Sequence, residues 1–178
     1  KQAQALYECA IRDPLSGLYT RLFMRDSISR LLASAKRGSF HELAIVMFDL
    51  DNFKRINDTY GHDAGDKVIQ TFGQVVKRCI RDTDVAVRYG GEEFVLALPC
   101  NDSKETGGRI VAERIRQRLE QTPVDIGDQV LHVTTSCGVA YHRQDDTLES
   151  LLQRADKYLY LAKQHGKNQV QAESSEGA

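Results

Sequence analysis

The sequence lacks the marks of several large protein classes. Its 178 residues contain no apolar run near the roughly 18 to 20 residues that a membrane helix needs, and no signal peptide opens the chain. Nor is there a basic excess: 24 lysines and arginines stand against 25 aspartates and glutamates, for a formal net charge of -1. That balance argues against a protein that grips nucleic acid by its phosphate backbone, while leaving room for a local basic site that takes one nucleotide. The four cysteines, Cys9, Cys79, Cys100 and Cys137, are widely separated, with no C-x-x-C pair and no histidines at metal spacing nearby. Free thiols in a reducing cytosol are the expectation. No methionine opens the chain either. Lys1-Gln2-Ala3-Gln4-Ala5-Leu6-Tyr7 reads as the end of a helix entering from outside. A fragment of a longer protein, with a sensor or receiver domain left out, is therefore expected, and any membrane anchor would belong to that missing part.

The chain does have apolar residues enough, at 41%, for one domain with a sizeable core. Its most informative stretch is Arg88-Tyr89-Gly90-Gly91-Glu92-Glu93-Phe94, set between the strand-like runs Val85 to Tyr89 and Phe94 to Leu98. Gly-Gly between such runs signals a hairpin, and Gly91 at its tip lets a backbone or a phosphate come close. Two adjacent glutamates at a strand start repel each other unless a cation lies between them. The plainer reading is a solvated tip with two surface acids, so a second acidic site must decide.

That second site is Leu43-Ala44-Ile45-Val46-Met47-Phe48-Asp49-Leu50-Asp51, a continuous apolar run that reads as a buried central strand delivering carboxylates at its end. Asp49 and Asp51 share a face, and Leu50 offers its carbonyl. Mg²⁺ prefers such hard oxygen ligands together with substrate phosphates, and Asp49 with Glu92 and Glu93 supplies a set. One of the two aspartates is expected to cap the following helix instead.

These blocks together resemble the GGDEF family, the catalytic domain of diguanylate cyclases. Gly90-Gly91-Glu92-Glu93-Phe94 is similar to the GGEEF form of the family's motif, and Phe48 to Asp58 with Gly61-His62 and Gly65-Asp66 to its second block. Asp13-Pro14-Leu15-Ser16-Gly17-Leu18-Tyr19-Thr20-Arg21 resembles the opening block, with Thr20 in place of the usual Asn and Leu22 in place of a frequent second Arg. The match runs in order from about Asp13 to Asn168.

The resemblance implies that two GTP molecules, one on each of two domains, condense to cyclic di-GMP with release of two pyrophosphates. It implies Asp49, the Leu50 carbonyl, Glu92 and Glu93 as ligands of Mg²⁺, with Mn²⁺ as a substitute. One glutamate, Glu92 in preference to Glu93, would accept the proton of the 3′-hydroxyl. Asn57 and Asp66 match guanine-reading positions, with His62 between them touching the nucleotide or fixing the turn. Phosphates would meet the backbone amides around Asn52, Phe53 and Lys54, the Lys54 charge, Lys163 and Lys167. Lys167 replaces the family's usual arginine and loses its bidentate fork. Arg81-Asp82-Thr83-Asp84 fits the R-x-x-D inhibitory motif, so product is expected at Arg81 and Asp84, with Arg114 contributed by a partner domain. The plainer readings are an Asx turn for Asn57, an N-cap for Asp66, a dipole-favoured cation pair for Lys163 and Lys167, and a solvated turn for Arg81 and Asp84.

Along the chain, residues 1–12 read as the end of a linker helix, 13–171 as the cyclase domain and 172–178 as a disordered tail. Helices are expected over Arg21 to Arg37 (with Leu22, Phe23, Ile28, Leu31, Leu32 and Ala35 as its stripe), Lys67 to Ile80, from Asp102 or Ser103 to about Gln121, and from Thr147 to a Gly166 cap. Thr59 to Asp66 reads as a glycine-punctuated turn, Leu131 to Tyr141 as one half-buried strand, and Gln169 to Gln171 as a short last one. The β-α-β-β-α-β order implies an α+β fold. In the resembling family that is a palm-like, mostly antiparallel five-stranded sheet surrounded by helices. Competing functions are a catalytically silent receptor for GTP or cyclic di-GMP, and another nucleotidyl transferase such as an adenylyl cyclase or polymerase. The intact acidic set speaks against the first. The missing basic surface and the Asn57 with Asp66 pair speak against the second.

Overall fold

Nine residues, all buried but the first, form the strand on which the others are laid. In the computed structural model, which describes residues 1–101 and 107–174, the chain begins with α1 (Gln2–Ile11), β1 (Tyr19–Thr20), α2 (Arg21–Lys36) and this strand, β2 (Glu42–Leu50). There follow α3 (Phe53–Tyr60), α4 (His62–Cys79), β3 (Val85–Arg88), β4 (Glu93–Cys100), α5 (Gly108–Gln121), β5 (Val124–Asp125), β6 (Val130–Leu131), β7 (Thr135–Tyr141), α6 (Leu148–Gln164) and β8 (Val170–Ala172).

The apolar run of β2 shows no polar alternation because both of its faces are covered. Ala44, Val46, Phe48 and Leu50 pack with Val68, Ile69, Phe72 and Val76 of α4 and Ile115 of α5. Leu43, Ile45 and Met47 pack with Met24, Ile28 and Leu32 of α2 and Leu151, Ala155 and Leu159 of α6. Period-2 side-chain alternation in one strand thus feeds two cores. The α+β, palm-like arrangement expected from the sequence is what the structure has.

The sheet order is β1-β3-β4-β2-β7-β8, with β2 antiparallel to β4 and β7, β3 antiparallel to β4, and parallel pairings at the two edges. Six strands rather than five therefore build it among the described residues, because Tyr19–Thr20 adds an edge strand that two residues are too few to announce. Leu131 to Tyr141 is not one strand. A turn in which Gly127 donates its amide to Asp125 Oδ1 folds β5 and β6 into a separate two-stranded hairpin, and β7 starts afresh at Thr135. Thr59 to Asp66 is not an open turn either. Gly61, at φ 92°, breaks one helix from the next, so α4 starts at His62 and Asp66 lies within it rather than at its cap. In α2, Leu22 is 83% exposed and Met24 takes its place in the core, since Met24, Ile28 and Leu32 recur every fourth residue. The helix start expected at Asp102 or Ser103 lies outside the described residues.

α6 lies on β7 with almost nothing between them. A Cβ on Gly138 would collide with the Ala155 carbonyl and the Leu159 amide, so only glycine permits this approach. Ala172 and Glu173, expected in a disordered tail, are instead held in the fold. Ala172 ends β8, and the Glu173 carboxylate is buried, accepting from the Tyr141 amide and from Arg154 Nε at 3.1 Å. Residues 175–178 lie outside the described residues. Arg154 also donates to both oxygens of Asp146 at 2.5 and 2.8 Å and to the Tyr141 carbonyl. No helix among the described residues is long and apolar enough to cross a membrane, and no disulfide forms among them.

Burial works against the Asp146 charge, but Arg154, Ser150 and the Arg143 amide outweigh it and hold its carboxyl well below the usual 3.8. A depressed carboxylate stabilises the fold fully above its unfolded pKa, and that contribution is lost as pH falls toward the lower folded value. Arg154→Met should therefore cost about 3 kcal/mol near neutral pH by stranding two buried carboxylates, and lose less further stability than the parent below about pH 4. Thermal melts of both proteins over an acid pH series check this.

Candidate active site

The hairpin tip and the end of β2 are neighbours because β4 pairs with β2 in a register that makes Asp49 and Glu93 direct cross-strand partners. Residues opposed in this way put their side chains on one face of the sheet. The next step of the ladder continues outward, where the Leu50 amide donates to the Glu92 carbonyl at 3.1 Å. At the tip, the amides of Tyr89 and Gly90 both donate to the Glu93 carbonyl.

Asp49 is 7% exposed and accepts from Lys163 Nζ at 2.7 Å. Burial raises its pKa, and Asp51 adds to the rise, while Lys163 opposes it. Glu92 is half-buried. Its pKa is raised by burial and by the charges of Asp49 and Glu93, against a smaller opposing effect of Lys163. Asp49 and Glu92 thus share one lysine. Among the described residues no three acidic, His or Cys side chains are already drawn in as a cluster around a common point. Excess negative charge of this kind is what a hard divalent cation neutralises.

Asp51 has another task, and neither aspartate caps α3. Asp51 is buried, accepting from Thr134 Oγ1 at 2.7 Å, Ser136 Oγ at 2.6 Å and the Asn168 amide at 3.1 Å. It ties the strand end to β7 and to the loop after α6. The residue before α3 is Asn52, in the left-handed region at φ 58° with no side-chain capping bond. Lys167 and Asn168 are left-handed too, at φ 63° and 48°, and Lys167 Nζ donates to Asn52 Oδ1 at 2.7 Å. Three strained non-glycine residues therefore meet beside the start of α3, where amides are free of helical partners.

The structure places Phe53 and Lys54 in the first turn of α3, and Asn57 half-buried in its middle. His62 and Asp66 lie exposed on α4, with Asn57 against the backbone of Gly65. Arg81 and Asp84 are joined more firmly than in a solvated turn. The Arg81 amide donates to Asp84 Oδ2 at 2.8 Å, its guanidinium lies 3.5 Å from Oδ1, and it also donates to the Pro99 carbonyl. Burial raises the Asp84 pKa against these contacts. The pair lines a groove of about 680 Å³ together with Arg12, Asp13 and Lys77. Arg114 is exposed on α5 and does not line it.

One link had gone unassigned in the sequence. Arg88 pairs with Asp13 at 3.2 Å and donates to the Gly91 carbonyl at 2.9 Å, so it clamps the glycine tip to the turn after α1. An arginine ending an apolar strand immediately before Gly-Gly was the available signal.

A family model described as "Diguanylate cyclase, GGDEF domain" matches residues 10–169. The chain is 44% identical over 129 residues to Diguanylate cyclase A of Treponema denticola, covering 72% of this chain and 34% of that one. It is 40% identical over 166 residues to the response regulator PleD of Caulobacter vibrioides, covering 92% and 36%. It thus spans about a third of the length of these curated relatives. The coiled coil and GGDEF domain of DgcB from Caulobacter crescentus, solved in complex with c-di-GMP, superposes with a TM-score of 0.89 at 28% identity, covering 97% of this chain and 90% of that one.

Because Lys163 lowers the Asp49 pKa against burial, Lys163→Met should raise it further. Carboxyl ¹³C NMR titration of both proteins measures this, and an unmoved Asp49 midpoint would contradict the pairing.

Proposed function

This chain belongs to the GGDEF domain family, and we propose that it condenses two GTP molecules to cyclic di-GMP, releasing two pyrophosphates. The observation that carries the reading is the cross-strand pairing of Asp49 with Glu93, which puts Glu92 and Glu93 at the same end of the sheet as Asp49 and its partner Lys163. The names of the curated relatives support it.

The 3′-hydroxyl oxygen of one GTP attacks the α-phosphorus of the other, the bond to the β-phosphate oxygen breaks, and pyrophosphate leaves. Glu92 takes the hydroxyl proton, with Glu93 beside it. Asp49, the Leu50 carbonyl, Glu92 and Glu93 would hold Mg²⁺ or Mn²⁺, which would neutralise charge on the attacking and leaving oxygens. The amides at Asn52, Phe53 and Lys54 receive phosphate oxygens, and Lys54, Lys163 and Lys167 supply positive charge. Gly91 leaves room for the approaching nucleotide. Asn57 and Asp66 read guanine, and His62 borders the base.

One domain holds one GTP, so the active species is a homodimer with two sites face to face. An N-terminal sensor or receiver domain would raise the effective concentration of the halves. Product returns to the groove at Arg81 and Asp84, with Arg114 of a second copy, and stops turnover. The reaction is placed in the cytosol, with no nucleic-acid or membrane contact from this domain.

GTP turnover at high protein concentration with Mg²⁺, products resolved by chromatography, tests the reading. Cyclic di-GMP is expected from the parent, with Glu93→Gln slower by roughly a hundredfold or more and Arg81→Ala continuing past the point where the parent stalls. Guanine nucleotide bound tightly without any product would overturn the enzyme reading in favour of a receptor.

A further inference from the structure

Gly65 is the fourth residue of α4, in a helix interior where alanine is ordinarily the more stable choice. It is not among the glycines with positive φ, so its backbone conformation does not call for glycine. What calls for it is space on the side of α3. A Cβ there would collide with Asn57 Oδ1 and lie 3.0 Å from Asn57 Cγ and 3.2 Å from Phe53 Cζ. The end of the Asn57 amide therefore rests against bare helix backbone. Whichever amide atom faces α4, a methyl group at residue 65 has to push it away.

We propose that Gly65 is a specificity-determining positioning residue: the uncovered backbone of α4 is the floor that sets the Asn57 amide at the height where it meets a purine edge. This rests on the reading of Asn57 and Asp66 as guanine-binding. The next residue, Asp66, is exposed on the same helix, so floor and carboxylate move as one body. Guanine offers acceptors at O6 and N7 and donors at N1 and N2, which suit an amide N–H and a carboxylate held at a fixed spacing. The atoms that a Cβ at residue 65 would meet belong to the Asn57 and Phe53 side chains and not to the backbone of α3, so the side chain rather than the helix yields when residue 65 grows. Gly65 touches no substrate and acts only through Asn57.

The test measures equilibrium binding of GTP carrying a methylene bridge between its α and β phosphorus atoms, which cannot turn over, with its adenosine counterpart and tripolyphosphate as controls. Gly65→Ala should weaken the guanosine ligand about tenfold, the worth of one displaced hydrogen bond, and leave tripolyphosphate binding and the melting temperature unreduced. In an Asn57→Ala background the same change should cost nothing further, since there is no amide left to displace. Unchanged guanosine-ligand affinity in Gly65→Ala, with Asn57→Ala weakened, would overturn the proposal alone. So would an equal loss of tripolyphosphate binding with a lowered melting temperature, which marks a purely structural glycine. Full affinity in Asn57→Ala would instead remove the guanine reading on which the proposal stands.

Discussion

The contact on which the site depends is one where a side chain is missing. At Gly138 the backbone of α6 rests on the backbone of β7, and any Cβ would force the helix outward. Leu159, whose amide is at that contact, precedes Lys163 by four residues, so both lie on the same helical face. The height of α6 over the sheet therefore decides whether the lysine reaches Asp49, and at 2.7 Å it does. Close packing is stiff, and a helix displaced by a methyl group carries its functional side chains with it.

Around this contact the polar groups of the site divide into those already satisfied and those left wanting. Asp51 has hydrogen bonds from two hydroxyls and an amide, and with them it fixes the geometry of the strand end. Asp49 and Glu92 are held in partly buried surroundings with too little positive charge to match them, and both pKa values rise accordingly. Left-handed backbone at Asn52, Lys167 and Asn168 adds local strain in the same few ångströms of loop. A fold with buried β strands and two apolar cores can carry such costs at one edge, where the chain leaves the sheet.

The groove and the hairpin tip are mechanically continuous. Asp13 lines the groove beside Arg81 and also pairs with Arg88, which holds the Gly91 carbonyl. Burial disfavours the Asp13 charge, but Ser16 and Arg88 outweigh it and keep the carboxyl low, so the clamp stays charged near neutral pH. The turn that follows α1 is thus fastened to the same loop that presents the glutamates.

Much of this was legible in the linear sequence, for a physical reason. A continuous apolar run, a period-3.6 stripe and a glycine pair are all local signals, so β2, the helix from Lys67 and the Gly-Gly hairpin could be read directly. Residue chemistry likewise singled out Asp49, Glu92 and Glu93 as candidate hard-oxygen ligands. Short elements escaped: β1 has two residues, and Gly61 marks a junction between helices that resembles an open turn. What the pattern within an element cannot encode is which other element it meets, and at what height. Nothing local separates Asp49 from Asp51, yet packing gives one a lysine 114 residues away and the other a cage of hydroxyls. The sequence by itself determined the local elements and the chemistry available at their ends. Tertiary structure alone decided which carboxylates were left unsatisfied, because that depends on contacts between residues far apart in the chain.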